Sequence, residues 1–347
     1  MDKENLKIAV CTRYSTLGAS SRLRFYLYRD LLESNGVHTQ FYPLLGDSYL
    51  KRLYSGKRCA VQGVGALIKR MAEFPFMPEN MLIEYELLPF AGVEFEEYLL
   101  RKRKYILSFD DAVWEKYRGN RRLQGKFERL AAKASGVIVA NNAIGEYLSA
   151  FNRRMIKIPT AIDLNKYSGK EVEKRNTFTV GWIGTPVTYR ECLLPFADML
   201  RKASEKLDVE FLIIADSTLE PIPGVRMKIV DWHDEDEVML LKKCHAGMMP
   251  LPGSDFMRGK SAYKLIQYLG CGLPCIASPV GENSVLMSRG KVGFCCENTA
   301  EWLKAFATLA EDAFLRDEMG KAALALAEEY SIQKYAPVFA GFIRECF

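Results

Sequence analysis

Hydrophobic and polar residues follow two alternating periods along this chain. Short apolar, β-rich runs lead into Gly/Ser-rich turns and then into segments with apolar residues at helical spacing, as in KIAVCTRY, STLGASSR and SRLRFYLYRDLLESNG near the N-terminus. This order repeats as far as the C-terminal segment SIQKYAPVFAGFIREC, which has helical spacing. Because strands that alternate with helices pair in parallel, the pattern predicts parallel sheets covered by helices.

The predicted strands form two series. They cover 7–14, 37–45, 80–89, 105–112, 136–142 and 154–163 in the first series, and 178–185, 209–217, 225–232, 246–251, 274–278 and 292–296 in the second. Between the series, NKYSGKEVEKRNT is polar and has no core pattern, so it is the predicted linker. The prediction is therefore an α/β chain with two Rossmann-like, doubly wound domains, 1–170 and 171–330, and a C-terminal helix in 331–347.

Composition agrees with two domains of ordinary globular type. The chain has 347 residues, of which 49% are hydrophobic and 26% charged. It contains no apolar run near the roughly 18 residues of a membrane span, and its N-terminus lacks a signal-peptide core, so we expect a cytoplasmic protein. The nine cysteines include no Cys-x-x-Cys pair and the three histidines are scattered, which favours reduced, mostly buried thiols and no metal site.

Charge is distributed unevenly between the two halves. Residues 1–170 hold 28 basic and 18 acidic side chains, a net charge of +10, whereas the remainder holds 20 and 25, a net charge of −5. A basic half suggests an anionic partner, such as phospholipid headgroups, a lipid pyrophosphate or nucleic acid. The alternative is a solvated helical face. No aromatic-basic motif of a known nucleic-acid module is present, so we expect no nucleic-acid partner.

Two stretches of the first half could carry chemistry. Gly18, in the turn before the first helix, would let the backbone approach an anion, or it could simply form a tight turn. Asp110 and Asp111 end a strand at the edge where such sheets bind ligands. They could accept a hydroxyl proton, or one of them could cap the following helix.

The second half repeats this arrangement. Gly184 and Thr185 follow a strand and precede Arg190 in the first turn of a helix, which fits either an anion site or helix capping. Trp232 ends another strand, where it could stack on a nucleobase or belong to the core.

A basic cluster lies at the start of the predicted helix Ser261–Leu269. Arg258, Gly259 and Lys260 precede that helix, and Lys264 lies in its first turns. Cations at a helix start oppose the helix dipole, so the cluster is expected to bind a polyanion such as a nucleoside diphosphate.

These stretches together resemble a known family. GASSRLR, FDDAVWEKY, IPTAID, GWIGTP and, most specifically, KLIQYLGCGLPCIASPVGEN occur in the order of the family-four (group 1) retaining glycosyltransferases, of the bacterial cell-surface polysaccharide type. The resemblance covers essentially the whole chain. It implies the GT-B fold, in which two Rossmann-like domains face a cleft and a C-terminal helix crosses back to the first domain.

The resemblance also implies an activity. A sugar would pass, with retention of configuration, from a nucleoside-diphosphate sugar bound on the second domain to a hydroxyl of a glycan or polyprenyl-linked acceptor on the first. The basic first domain would touch the anionic inner face of the membrane, and neither a cofactor nor a metal would be needed. The residues expected to act in catalysis are Asp110, Asp111, Arg190 and Lys264; those expected at the donor nucleotide and phosphates are Gly18, Gly184, Thr185, Trp232, Arg258, Gly259, Lys260 and Gln267.

The chain departs from the family pattern at three of these positions. Gly259 and Gln267 stand where the family has a pair of glutamates, and Thr185 stands where it has a phosphate-binding cation. Two alternatives therefore stay open: a nucleotide-sugar epimerase of the same fold, and a degenerate transferase that acts as a binding partner.

Overall fold

Helices and strands alternate in the computed structural model, which describes residues 6–57, 59–169 and 171–347. The chain divides into two compact units. The first comprises residues 1–161, 259–261 and 332–347, and the second comprises 162–258 and 262–331. The chain therefore passes into the second unit after Ala161 and, apart from residues 259–261, returns to the first only at Ile332.

The first unit contains a six-stranded, fully parallel sheet of order β2-β1-β3-β4-β5-β6. Its strands are β1 Leu6–Tyr14, β2 Val37–Leu45, β3 Asn80–Glu84, β4 Lys104–Phe109, β5 Gly136–Val139 and β6 Met155–Lys157. Its helices up to β6 are α1 Ala19–Arg24, α2 Arg29–Ser34, α3 Asp47–Tyr54, α4 Ala60–Glu73, α5 Val93–Leu100, α6 Lys126–Lys133 and α7 Asn142–Ser149.

The second unit contains a parallel sheet of order β12-β11-β10-β7-β8-β9. Its strands are β7 Phe178–Ile183, β8 Val209–Ala215, β9 Met227–Asp231, β10 Ala246–Met249, β11 Cys275–Ala277 and β12 Gly293–Cys295. Its helices are α8 Leu164–Tyr167, α9 Pro186–Thr188, α10 Ala197–Lys206, α11 Glu237–Lys242, α12 Asp255–Arg258, α13 Tyr263–Gly270, α14 Glu282–Met287, α15 Thr299–Glu311 and α16 Ala313–Ala327.

The last helix, α17 Ile332–Cys346, belongs to the first unit and contacts α2 and β4 there. It approaches β5 closely, because a Cβ added at Gly136 would lie 2.6 Å from the Cys346 sulfur and 2.7 Å from the Phe342 ring. The predicted fold class is thus confirmed for both parallel sheets and for the return of the C-terminal helix.

In the inner strands of each sheet, alternate side chains are buried on opposite faces. In β1, Ile8 and Val10 join one apolar cluster, and Ala9 and Cys11 join another. The same division holds in the second unit, where Trp182 and Ile183 of β7 belong to different clusters. Both faces of both sheets are therefore covered, as expected for apolar strands in doubly wound folds.

Three segments whose apolar residues keep helical spacing in the sequence are interrupted in the structure, each at an identifiable residue. Residues 21–36 break near Phe25, whose φ and ψ of −133° and −57° leave the helical region while its side chain is buried. Residues 189–207 form a π-helical turn at Tyr189–Leu193, a 3-10 turn at Leu194–Phe196 and then α10. Pro195 in the 3-10 turn lacks the N–H that a continuous α-helix would need there. Residues 299–330 break at Asp312, whose Oδ1 accepts a hydrogen bond from the Leu315 N–H at 2.8 Å and so starts α16.

Candidate functional site

The strand order of the second sheet reverses between β7 and β10. In open parallel sheets, ligands bind at the carboxyl ends of the strands beside such a reversal. The loop from Gly184 to Thr188 follows β7, and the loop that leads into α12 follows β10. Of the residues predicted for the donor, Gly184 and Thr185 lie in the first of these loops, and Arg258 ends the helix α12 that follows the second.

The loop after β7 requires its glycine. A Cβ on Gly184 would lie 2.4 Å from Cη2 of Trp182, and the Gly184 N–H donates to the Ile214 carbonyl at 3.0 Å. Thr185 and Thr188 form a capping box, in which the Thr188 hydroxyl accepts from the Thr185 N–H at 2.9 Å. The capping alternative for Thr185 is thus present, and contact of Gly184 and Thr185 with a phosphate stays a prediction.

Lys264 lies against the same tryptophan. It is the second residue of α13, and its Nζ lies 5.3 Å from the centroid of the Trp182 ring. A cation at that distance from an indole is attracted to it, and here the indole is fully buried. Lys264 and Gly184 are therefore brought together at the carboxyl end of β7.

Arg258 lies at a helix end rather than at a helix start. It is the last residue of α12, and α13 begins only at Tyr263, two residues later than the predicted Ser261. A cation is favourable at a helix C-terminus, so the predicted cost of placing Arg258 against a helix dipole does not arise. Its guanidinium lies 3.6 Å from the Asp255 carboxylate, and both side chains are exposed.

Arg190 and the loop after β11 complete this region of the sequence. Arg190 is exposed on the turn Tyr189–Leu193. Gly281, after β11, has φ of +56°, and a Cβ there would lie 2.2 Å from the Arg258 carbonyl oxygen. Only glycine fits this conformation and contact, so the Gly-Glu-Asn turn packs directly against the end of α12.

The predicted nucleotide contacts of Trp232 and Gln267 involve side chains that are already packed. Trp232 is half-buried against the core of the second unit, and its indole N–H donates to Oε2 of Glu237 at 2.8 Å. Gln267 in α13 is 3% exposed. Both remain predictions; the core alternative for Trp232 matches this packing.

Gly259 has no room for a side chain. Residues 259–261 group with the first unit, where a Cβ on Gly259 would lie 2.6 Å from the Ala112 Cβ. The amide of Asn141 donates to the Gly259 carbonyl oxygen at 2.8 Å. The close approach explains why glycine stands where the family has glutamate. The half-buried Lys260 follows in the same segment.

In the first unit, the strand order reverses between β1 and β3, and Glu84 ends β3 at this point. Its carboxylate accepts hydrogen bonds from the Arg13 N–H at 2.6 Å, from the Ser20 hydroxyl at 2.7 Å and from the Ser21 hydroxyl at 2.6 Å. Gly18 immediately precedes α1. Glu84 thus ties the loop that contains Gly18 to the neighbouring strand.

A second buried carboxylate, Glu86, holds a network of charges beside this loop. It accepts from Arg13 Nη2 at 2.5 Å, Lys126 Nζ at 2.7 Å and the Tyr117 hydroxyl at 2.9 Å. Lys126 Nζ also lies 2.9 Å from Glu96 Oε2, and the Lys126 side chain is fully buried. The network therefore joins the end of β1, the loop after β3, α5 and α6.

The sequence reading missed this network. Its signal was present, because Glu84 and Glu86 interrupt the apolar run MLIEYELL, and charges in such runs are seldom buried unless they are paired.

Asp110 and Asp111 follow β4 as predicted. The next turn, Val113–Tyr117, is preceded by Ala112 and has no side-chain cap, so the capping alternative is wrong. Instead, the Tyr85 hydroxyl donates to Asp110 Oδ1. Burial, and then the neighbouring Asp111 carboxylate, raise the pKa of Asp110 to about 7. Asp111 is only half-buried, so it is the more accessible carboxylate of the two.

Replacing Asp110 by Asn is expected to change how stability depends on pH. Between about pH 4 and pH 7, the folded protein keeps a proton on Asp110 that the unfolded chain releases. This contribution to stability is therefore lost as the pH rises through that window, with a slope of at most about 1.4 kcal/mol per pH unit. Asparagine retains an acceptor for Tyr85 but does not titrate. Urea denaturation from pH 4.5 to 8 should show the wild type losing stability relative to Asp110→Asn; parallel curves would contradict this.

The His, Cys, Asp and Glu side chains and the helix lengths bear on metal binding, disulfides and membrane spans. Within residues 6–57, 59–169 and 171–347, no group of three or more His, Cys, Asp or Glu side chains could hold a metal ion. No helix in these ranges is long and apolar enough to cross a membrane. All nine cysteines are free thiols, and seven of them are buried.

Comparisons with known proteins agree with the strand topology. Residues 177–312, which apart from 259–261 belong to the second unit, match the family model described as glycosyl transferases group 1. No curated protein matches the chain. Among solved structures, sucrose-phosphate synthase from Thermosynechococcus elongatus is 12% identical with a TM-score of 0.67, and covers 97% of each chain.

Two further structures are similar over nearly the full length. HepE from Anabaena, in complex with UDP-glucose, is 14% identical with a TM-score of 0.68, over 97% of this chain and 98% of that one. A glycosyltransferase from Rickettsia africae is 12% identical with a TM-score of 0.65, over 99% and 98%. At these identities the likeness establishes the fold alone, which is GT-B.

Proposed function

We propose that this GT-B chain is a group 1 glycosyltransferase. It would move a sugar from a nucleoside-diphosphate sugar to an acceptor hydroxyl, with retention at the anomeric carbon. One observation supports the proposal most: the segment that matches the family model contains both Gly184 and Lys264, which lie together at the carboxyl end of β7. Glycine lets the backbone approach a diphosphate closely, and lysine offsets its charge.

The donor is proposed to bind the second unit. Lys264 and Arg190 would stabilise negative charge as it develops on the leaving diphosphate, with a further cation from Arg258. HepE, of the same fold, has been crystallised with UDP and with UDP-glucose, so uridine nucleotides are the first candidates to test.

The acceptor is proposed to bind the first unit. Its hydroxyl would lie near Asp111, and a loop held by Glu84 and Glu86 would position it. In the transfer, the bond between the anomeric carbon and the diphosphate oxygen breaks, and the acceptor oxygen bonds to that carbon. The acceptor proton passes to the leaving diphosphate, so no metal or cofactor is required. A glycan or polyprenyl-linked acceptor of a polysaccharide pathway, reached at an anionic membrane surface, fits the basic first unit.

Thermal-shift screening against UDP, GDP, CDP and dTDP and their sugars tests the donor. A ligand that binds only the folded protein raises its melting temperature, by several degrees at about 100 times its Kd. The matching nucleotide sugar should then release nucleoside diphosphate with an acceptor present, and NMR of the product should show the donor's anomeric configuration. Binding without turnover would favour the degenerate transferase, and an epimerised sugar without transfer would favour the epimerase.

A further inference from the structure

Helix α4 presents apolar side chains to solvent along its outer side. Val61, Val64 and Ile68 are 87%, 59% and 66% exposed. They are three and four residues apart, so they lie on one face of the helix, which we call the α4 outer stripe. Phe76, in the turn directly after the helix, is 84% exposed.

The inner side of α4 is already packed. Leu67 contacts the core of the first unit, as does Met71 at the border between the inner side and the α4 outer stripe. The buried Arg70 donates from Nη2 to the carbonyl oxygens of Thr12 at 3.2 Å and Tyr42 at 2.6 Å. A surface helix normally has a polar outer face, and one that is apolar on both sides needs a second apolar environment. The α4 outer stripe is thus a surface for docking rather than a part of the core.

Positive charge flanks the α4 outer stripe. Lys51, Arg52 and Lys57 precede the helix and are exposed, and Lys69 lies 3.5 Å from Glu73 in an ion pair at the surface. Beyond the helix, a shallow cavity of about 510 Å³ is lined by Phe74, Pro75, Met77, Glu79, Tyr98, Leu99, Arg101, Lys102 and Arg103. Aromatic and basic side chains thus continue the surface past Phe76.

We propose that the α4 outer stripe lies on an anionic phospholipid surface, with its apolar side chains at the acyl boundary and the flanking lysines and arginines on the headgroups. Helices that lie in the membrane interface combine these two features. A second copy of the chain fits less well, because a two-fold contact through this surface would bring the basic flanks of both copies together. The inference rests on the proposed function in one respect: a membrane-bound acceptor gives the docking its purpose.

Vesicle sedimentation with the full chain tests this inference. We expect co-sedimentation with vesicles of phosphatidylcholine and 30% phosphatidylglycerol, weaker binding at 0.5 M salt, and little binding to phosphatidylcholine alone. Val61→Ser/Val64→Ser/Ile68→Ser should reduce partitioning about 10- to 100-fold. Lys51→Glu/Lys57→Glu should reduce it on anionic vesicles. Phe314→Ser/Leu324→Ser, which changes side chains of the second unit that are 76% and 51% exposed, is the matched control and should bind like the wild type.

Three results would overturn the inference: no binding of the wild type to anionic vesicles, equal binding of the triple variant, or a wild-type dimer that the triple variant makes monomeric in light scattering. All the substituted side chains are exposed, so circular dichroism should be unchanged. Nucleotide thermal shifts on the same variants separate this proposal from the previous one. If nucleotide binding persists without vesicle binding, only the membrane inference fails; the reverse outcome rejects only the donor site.

Discussion

Replacing Lys126 by Met is expected to lower the free energy of unfolding of the first unit by about 3–5 kcal/mol. Lys126 is fully buried between Glu86 and Glu96 and also donates to the Leu88 carbonyl oxygen at 2.8 Å. Methionine fills a similar volume, so the loss comes from leaving two buried carboxylates without their shared cation. Glu86 keeps Arg13, whereas Glu96 keeps only backbone donors such as the Leu87 N–H.

The pH dependence of this variant identifies the cause. Burial already raises the pKa of Glu96, and loss of Lys126 would raise it further. Stability from a carboxyl group with a raised pKa is lost as the pH increases, so Lys126→Met should be least destabilised in acid. Adding Glu96→Gln should restore part of the loss and flatten the dependence.

Hydrogen exchange of the β3 and β4 amides in urea measures the first unit separately from the second. The matched control is Lys133→Met on the same helix, α6. Lys133 is 60% exposed and its ion pair with Glu97 is worth at most about 1 kcal/mol. Equal effects of the two substitutions would contradict the role of the buried network.

Lys264→Ala is expected to lower kcat/KM of sugar transfer by about 10²- to 10³-fold, mainly through kcat. The lysine offsets charge that develops on the diphosphate only as the sugar leaves, so nucleotide affinity should change less than the rate. Lys264→Arg keeps a cation over Trp182 and should retain part of the activity.

Steady-state kinetics with the donor identified by thermal shift, and calorimetry with the matching nucleoside diphosphate, separate rate from affinity. Lys304→Ala, an exposed lysine on α15 of the same unit, is the control and should turn over like the wild type. Wild-type turnover by Lys264→Ala would remove the lysine from the catalytic assignment.

The sequence pattern predicted the sheets because burial on both faces of a parallel sheet produces uninterrupted apolar runs, and these runs are visible without knowledge of the fold. Helix interruptions depended on single residues, such as Pro195 and Asp312, inside otherwise continuous helical patterns. Such residues are visible in the sequence, but the apolar residues keep their helical spacing on both sides of them, so the spacing alone predicts one continuous helix.

The positions of the candidate site residues were predictable only where they follow from local sequence. The turn that holds Gly184 and the helix that holds Lys264 could be predicted in this way, whereas their roles stay predictions. The pairing of Arg13 with Glu86 joins residues 73 apart, and it exists because β1 and β3 are neighbours. The lack of room for a side chain at Gly259 results from contact with Ala112, 147 positions earlier in the chain. Distant partners of this kind require the strand order, which composition and spacing do not determine.

Because α17 belongs to the first unit, part of that unit is synthesised after the whole of the second unit. The residues of the second unit end at Ser331, so all of them have been synthesised before α17. The apolar cluster on one face of the first sheet includes Phe339 and Ile343 of α17. These two side chains can cover that face only after the second unit has been synthesised, so until then the face exposes apolar surface that can aggregate.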